Sequence, residues 1–568
     1  AQTTHNAAPA TLPARLPRLL LILAVLAAAF FFAWLTITRY TAFESRALDM
    51  GNLNQAIWNT AHGRWFLQTN QPGVTNRLSL HVEPILLPLA LLYRLWQDPR
   101  LLLVIQAVVV ACGALPLHAL ALHKLNSRWL ALLFALGWLA MPAMQGATWI
   151  EFHPVTLAPT FLLAAFYFLV TGRSGWYALF AVLAAACKEE LGLLVAMLGV
   201  YAIIALPPRR RVGWITLVFG LGWSLFAVLV IQRQFGGNYH WGRYDYLGGA
   251  PAEMVRTLFT QPGILFEQLG KAESLRYVYQ LLLPVGFLAL LAPEVLLLAL
   301  PSLGINLLAD YPPMQEVNTL QYAAPIAPFV ALAAVMGAAR LLAGTRRSAL
   351  YTRLAATAIG ALLIAGIVLA QRAGGYFPGG ANYRLYTVTE HHRRAQTLID
   401  QIAPTDRVTA QDKLNPHVSG REISYIFPRV SDSLLGDADT ALLDVTGPAW
   451  PQHPNDLHRT VQDLLGSGWG VAAADDGYLL LRKGAASTSF PASFYTPWQM
   501  AEASPLIAQT AVFGDEVALL GLDVIEDAHG EVVVRSYWQA LRPLERTLHF
   551  DTALLDASGA PLFDSRFY

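Results

Sequence analysis

Two things are scarce in this chain: it has only two cysteines in 568 residues, and only 14% of its residues are charged. Soluble domains carry about 25% charged residues, so a wholly soluble protein is excluded. Cys112 and Cys187 lie in apolar stretches, and residues 372–568 contain no cysteine. A disulfide scaffold or zinc cage is thereby excluded, and both cysteines read as small embedded hydrophobes. With 39 Lys and Arg against 38 Asp and Glu, and no long basic run, nucleic acid is not an expected partner. The polar segment 390–485 has neither a glycine-rich phosphate loop nor a nucleophile elbow.

What the chain has is apolar sequence, with a mean hydropathy of +0.42. It is concentrated in residues 17–371, whereas 372–568 has the charge density of a soluble protein. A bilayer-crossing helix needs about twenty apolar residues. Spans are expected at 17–38, 100–122, 128–145, 154–171, 176–187, 190–206, 212–232, 277–292, 294–309, 322–343 and 351–371. The pairs meeting at Lys188 and Pro293 could each be one long bent helix. Arg15 and Arg18 precede the first span without a small-residue cleavage site, so it reads as a retained anchor.

Loop charge sets an orientation. With a cytoplasmic N-terminus, the inner loops hold Lys124, Arg128, Arg173, the run Arg209–Arg211, and Arg346, Arg347 and Arg353. The outer loops then receive Glu44, Asp49, Glu83, Asp98, Glu151, Asp245, Glu253, Asp310 and Glu316. This places the long segment 39–99 and the polar tail outside the cytoplasm, in a cytoplasmic (inner) membrane. Residues 84–97 are apolar but short, with two prolines and Arg94. They read as a re-entrant or interfacial helix with Tyr93 and Trp96 at headgroup level.

In the tail, helix-like HHRRAQTLIDQI and LHRTVQDLLGSG alternate with strand-like RVTA, ALLDV, WGVAAA and GYLLLRK, the last two joined by a turn at Asp475-Asp476-Gly477. From about 508 the alternation becomes all-β: VALLGLDVIE, a turn at Ala528-His529-Gly530, EVVVRSYWQAL and LHFDTALLD. The chain starts at Ala and stops at Phe567-Tyr568 within a strand pattern, so further terminal residues are expected. The expected fold is a polytopic α-helical membrane protein of about eleven transmembrane helices (1–371), an extracytoplasmic α/β domain (372–487) and a β-sandwich-like segment (488–568). The outer loops 39–99 and 233–276 are its longest.

The runs ALDMGNLNQAIWNTAHGRWF (47–66), NRLSLHVEP (76–84), WIEFHP (149–154), ACKEELGL (186–193), QYAAPIAPF (321–329), LNPHVSGREISYIFP (414–428) and DGYLLLRKG (476–484) carry a resemblance. Over about residues 40–485 the chain resembles a bacterial and archaeal membrane-protein family, domain of unknown function 2079. Its layout is similar to that of the GT-C glycosyltransferases, which transfer a sugar from a polyprenyl-phosphate carrier and hold an acidic residue in a long first outer loop. That resemblance implies Asp49 as the loop acid, residues 84–97 as a juxtamembrane helix, Glu151 as a second acid, and Lys188 as a lysine between two spans. The chain departs from the pattern in lacking an Asp-Asp or Asp-x-Asp pair in either loop.

Each candidate residue has two readings. Asp49 precedes a helical pattern, as an N-cap or as a general base toward an acceptor hydroxyl. His81 with Glu83, and Glu151 with His153 ahead of Pro154, are carboxylate–imidazole pairs that suit helix capping, donor binding, or a divalent cation held by Asp49, Glu151 and His153. Lys188, Glu189 and Glu190 interrupt apolar sequence as an internal salt bridge, or as a site where Lys188 neutralises a leaving phosphate. Arg233, His240, Trp241, Arg243, Tyr244 and Tyr246 suit sugar stacking and phosphate binding, or membrane-interface anchoring.

The leading expectation is a membrane glycosyltransferase with a polyprenyl-phosphate sugar donor and a glycan, lipid or protein acceptor. A lipid or solute transporter (flippase) would instead predict inverted repeats, which are not seen. A non-catalytic scaffold with a binding tail explains the tail but not the ionisable residues of the outer loops.

Overall fold

The computed structural model describes residues 12–237, 239–249, 251–345, 348–500, 502–526, 532–543, 555 and 557–560. Helices dominate because, in lipid, backbone N–H and C=O groups must bond within their own segment. Among the described residues seven helices are long and apolar enough to cross a membrane: Arg15–Thr41, Arg100–Leu125, Arg128–Ile150, Pro154–Thr171, Pro207–Gln232, Ala327–Thr345 and Ala349–Gly374. Ser174–Ala185, Leu191–Ala205 and Pro293–Leu308 are shorter apolar helices.

The expected span 277–292 is not one continuous helix. Its helix, Ala272–Leu282, runs into Pro284, and then Gly286 and Phe287 adopt positive φ (57° and 58°) and interrupt it. Hydropathy registers apolarity but not this left-handed pair. The expected span 294–309 appears as the apolar helix Pro293–Leu308, tightened by a 3-10 turn at Leu297–Ala299. Around Lys188 the two expected helices are separate, Ser174–Ala185 and Leu191–Ala205, and not one long bent helix.

One helix pair fixes the turn between them. Leu191–Ala205 packs against Arg210–Phe226 with backbones in contact, because glycines face each other. A Cβ on Gly220 would lie 2.4 Å from Gly192 O, and one on Gly199 would lie 2.6 Å from Leu217 N. From the same helix, Ser224 Oγ donates to Glu189 O (2.7 Å) and Trp223 Nε1 to Ala185 O (2.9 Å).

The segment 39–99 does not cross. It holds a wide turn at Ala47–Gly51, a helix Asn52–Ala61, and the eight-residue helix Leu86–Tyr93. At 1.5 Å per residue, that last helix is far too short to span. Tyr93 faces the protein interior: its ring is buried and its hydroxyl donates to Asn54 Oδ1 (2.5 Å), whereas Trp96 is exposed. A polar helix face from Asn52–Ala61 supplies the acceptor that interfacial water would otherwise have provided.

The chain comprises two compact units, residues 1–440 and 441–568. The boundary falls inside the stretch read as one α/β domain, because residues 412–429 are bonded onto the first loop. Asn70 and Asn415 exchange two amide hydrogen bonds of 3.0 Å each. Asn54 Nδ2 donates to Ser419 Oγ (2.8 Å), Thr69 Oγ1 to Ser424 O (2.7 Å), and Lys413 pairs with Glu44 (3.0 Å). Gly51 makes room for this, since a Cβ there would lie 2.2 Å from Asn415 Oδ1. Asn415→Ala would strand the buried Asn70 amide, so thermal unfolding should show a loss of about 1–3 kcal/mol. An unchanged midpoint would mean that the docking is incidental.

The first unit also holds the helix Glu390–Ile399 and a parallel strand pair, Val408–Ala410 with Ser424–Ile426. In the second unit, helix Pro454–Gly466 precedes an antiparallel hairpin, Trp469–Asp475 with Tyr478–Lys483, turning at Asp476-Gly477 as expected. Strands Ile507–Phe513, Val517–Glu526 and Val532–Ala540 form one antiparallel sheet in chain order. Among the described residues of 488–568 these three strands make a single sheet, where a sandwich needs two. The turn expected at 528–530, most of the strand expected at 548–556, and Arg346 and Arg347 lie outside them.

Candidate active site

Asp49 sits in the turn Ala47–Gly51, where Gly51 N–H donates to Arg46 O five residues back (3.1 Å). Such π-type turns gather at functional positions. Its side chain does not cap the helix. The free amides of the turn are taken by carboxylates from elsewhere: Glu151 accepts from Arg46 N (2.9 Å) and Met50 N (2.8 Å), and Asp412 from Ala47 N (2.9 Å). The Asp49 carboxylate is left half exposed (48%), 3.3 Å from His153 Nε2. Enclosure raises its pKa, but the neighbouring imidazole outweighs this and holds the carboxyl below the ordinary range. His153 is buried, caps nothing, and its Nδ1 has no hydrogen-bond partner.

Glu151 itself is 2% exposed, with Arg39 Nη1 at 3.6 Å. Burial pushes its carboxyl up to about 7, against Arg39 and the Met50 amide, which favour the anion. A raised folded-state pKa means that the protonated form is preferred in the fold. The associated stability is fully present below about pH 4.5 and is lost as pH rises through about 7, a change of about 3 kcal/mol. Thermal unfolding of Glu151→Gln should lack this slope between about pH 5 and about pH 7, whereas a slope equal to wild type would assign it to other groups.

The turn 186–190 meets the first loop. Val82 N donates to Glu189 Oε2 (2.9 Å), His81 Nδ1 lies 3.0 Å from Glu189 Oε1, and Ile85 N donates to Ala186 O (3.0 Å). Burial, with Lys188 and Arg77 nearby, lowers the His81 pKa well below its ordinary value. The ring is therefore neutral, and its contact with Glu189 is a hydrogen bond rather than an ion pair. Lys188 Nζ pairs with Glu190 Oε1 at 2.9 Å. Burial favours the neutral amine, yet Glu190 and Glu189 outweigh it and keep the lysine protonated. Burial in turn raises both glutamates. Glu83 is held away in a buried two-point pair with Arg77 Nε (2.8 Å) and Nη2 (3.2 Å), and caps no helix.

A cavity of about 330 Å³ opens beside this turn. Its polar groups include His81, Lys188, Glu189, Glu190 and Arg243, and much of the remaining lining is apolar, from residues such as Leu193, Val228, Leu247 and Met254. Trp241 and Tyr244 also line it, and Tyr244 OH donates to Ile305 O (2.9 Å). Arg243 stacks its guanidinium 4.3 Å over the Tyr311 ring. Of the aromatic–basic cluster, Arg233 is exposed and Tyr246 OH bonds Leu308 O (2.7 Å); the side chain of His240 lies outside the described residues.

Lys188, Glu189, His81, Arg243, Trp241 and Tyr244 therefore share one cavity. Asp49, Glu151, His153 and Glu83 are not part of its lining. Asp49 is nonetheless within electrostatic reach: its charge, with those of Arg243 and Lys188, acts on the cavity residue Tyr322. The cation set Asp49, Glu151 and His153 does not fit a divalent ion. Glu151 is committed to two amides, and among the described residues no three His, Cys, Asp or Glu side chains converge as ligands. Arg39, Arg77 and Asp412, which hold the site together, carry no sequence signal, because their partners are 112, 6 and 365 positions away.

A profile of one membrane-protein family matches residues 39–480, which hold every candidate residue named above. The chain belongs to the DUF2079 family of predicted membrane proteins. Two solved structures are similar to it. The crystal structure of ArnT from Cupriavidus metallidurans bound to undecaprenyl phosphate is 12% identical, with a TM-score of 0.47, covering 84% of this chain and 100% of that one. ArnT from the same organism in the apo state is 12% identical, with a TM-score of 0.43, covering 84% of this chain and 99% of that one. No curated protein sequence matches the chain.

Proposed function

We propose that this protein is an integral membrane glycosyltransferase that moves a sugar from a polyprenyl-phosphate carrier to an acceptor. The observation that carries the reading is the largely apolar cavity whose polar groups include a half-buried, protonated lysine and an arginine. An amphiphilic anion matches that lining, with prenyl carbons on the apolar walls and phosphate oxygens on Lys188 and Arg243.

In the reaction, an acceptor hydroxyl attacks the anomeric carbon while the Asp49 carboxylate takes its proton. The bond from the anomeric carbon to the phosphate oxygen breaks, and the phosphate leaves with the electron pair, its charge met by Lys188 and Arg243. Glu151 holds the amides of the Asp49 turn, and His153 keeps Asp49 ionised. His81 and Glu189 fix the turn that carries Lys188. Trp241 and Tyr244 offer the sugar a stacking surface. Loop charge assigns this site to the outer membrane face, and the α/β and β-rich segments (372–487 and 488–568) act there as accessory domains.

The test is an assay of the purified chain in nanodiscs with radiolabelled polyprenyl-phosphate sugars and a cell-envelope extract as acceptor. Label should pass to the extract from at least one donor. Donors that all remain unconsumed would overturn the reading.

A further inference from the structure

A second cavity, of about 340 Å³, shares a wall with the first. Arg243 lines the first cavity and stacks on Tyr311, which lines the second. Met314 faces the first, while its chain neighbour Gln315 faces the second. The Arg243 carbonyl also accepts from Asp310 N (2.7 Å), which ties the two linings together.

The chemistry of the second cavity is different. Lys271, Glu273 and Arg276 face it from the start of one helix, and Asp310, Tyr311 and Glu316 from the turn after another. Among the described residues none of these five charged side chains makes an ion pair, so their hydrogen-bonding capacity is directed at solvent in the cleft. The carboxylates only accept, the ammonium and guanidinium only donate, and the Gln280 and Gln315 amides do both. Tyr311 adds an apolar ring face.

A hydrocarbon here would strip water from five charges with nothing in return. A second phosphate would meet three carboxylates. A sugar presents hydroxyls that both donate and accept, together with a C–H face that packs on an aromatic ring.

We infer that this cleft binds the hydroxyl-bearing sugar acceptor, separated from the donor cavity by the Arg243–Tyr311 stack. The role of acceptor, as distinct from plain sugar binding, rests on the transferase reading above.

Hydrogen exchange of the full chain in nanodiscs tests this with two probes used separately: undecaprenyl phosphate, and a panel of disaccharides (cellobiose, maltose, chitobiose and mannobiose). At least one disaccharide should slow exchange across 268–280 and 309–316. The double substitution Glu273→Ala with Arg276→Ala should weaken that binding at least tenfold. Undecaprenyl phosphate should slow exchange across 188–193 and 241–247 equally in wild type and in the double variant. If no disaccharide protects the cleft, or if the double variant leaves its protection intact, the inference is overturned. Disaccharide protection of the cleft without undecaprenyl-phosphate protection of the first cavity would keep the sugar site and remove the transferase reading.

Discussion

Asp49→Asn should lower sugar transfer by roughly 10²- to 10⁴-fold, the usual contribution of a positioned general base, while leaving donor affinity and folding nearly unchanged. The separation follows from geometry. The Asp49 side chain is not part of the cavity lining, so donor contacts survive its substitution. It caps no backbone amide, since Glu151 and Asp412 do that, so the turn survives as well. What asparagine removes is the anion beside His153 at 3.3 Å, and with it the ability to accept a proton. The assay is transfer at saturating donor, with thermal unfolding run alongside. A variant that keeps more than about a tenth of wild-type turnover would remove Asp49 from the chemistry, because that loss is far below what a general base supplies.

Lys188→Met has the second-largest expected effect, on donor binding. A charge-assisted contact to phosphate contributes about 1.5–3 kcal/mol, or roughly ten- to hundredfold in affinity. The single substitution also leaves the half-buried Glu190 without its 2.9 Å partner, which costs about 1–3 kcal/mol. The two losses can be separated by combining Lys188→Met with Glu190→Gln. The double variant should regain stability because no unpaired charge remains, yet should still bind undecaprenyl phosphate at least tenfold more weakly than wild type. Recovery of affinity together with stability would show that Lys188 is purely structural.

The sequence disclosed those features whose physics is local. Apolar runs announced most of the helices, and charges interrupting them announced the turn 188–190, since buried charge is retained where it is paired or used. The candidate loops around Glu151 and Glu189 both proved to be bonded to the first loop, which carries Asp49. Loop charge had put all three on one face. What stayed hidden depends on partners far along the chain. The N-cap reading of Asp49 failed because the cap arrives from Glu151, about a hundred positions later. The binding of 412–429 onto the first loop runs through single Asn, Ser and Thr side chains, which leave no periodicity to read. The break in the expected span 277–292 turned on the left-handed pair Gly286 and Phe287, a conformation that no hydropathy average records. The second cavity was invisible for a similar reason: Lys271 and Glu273 look like ordinary solvated charges until the turn at 310–316 folds over beside them.

The central claim is that the first cavity recognises a polyprenyl chain through its phosphate. The most direct measurement is photocrosslinking with a diazirine-bearing polyprenyl phosphate, competed by undecaprenyl phosphate or by undecaprenol. The account predicts crosslinks at 188–193 and 241–258, displaced by the phosphate at a concentration at least tenfold lower than by the alcohol. Crosslinks elsewhere, or equal displacement by the two competitors, would contradict it.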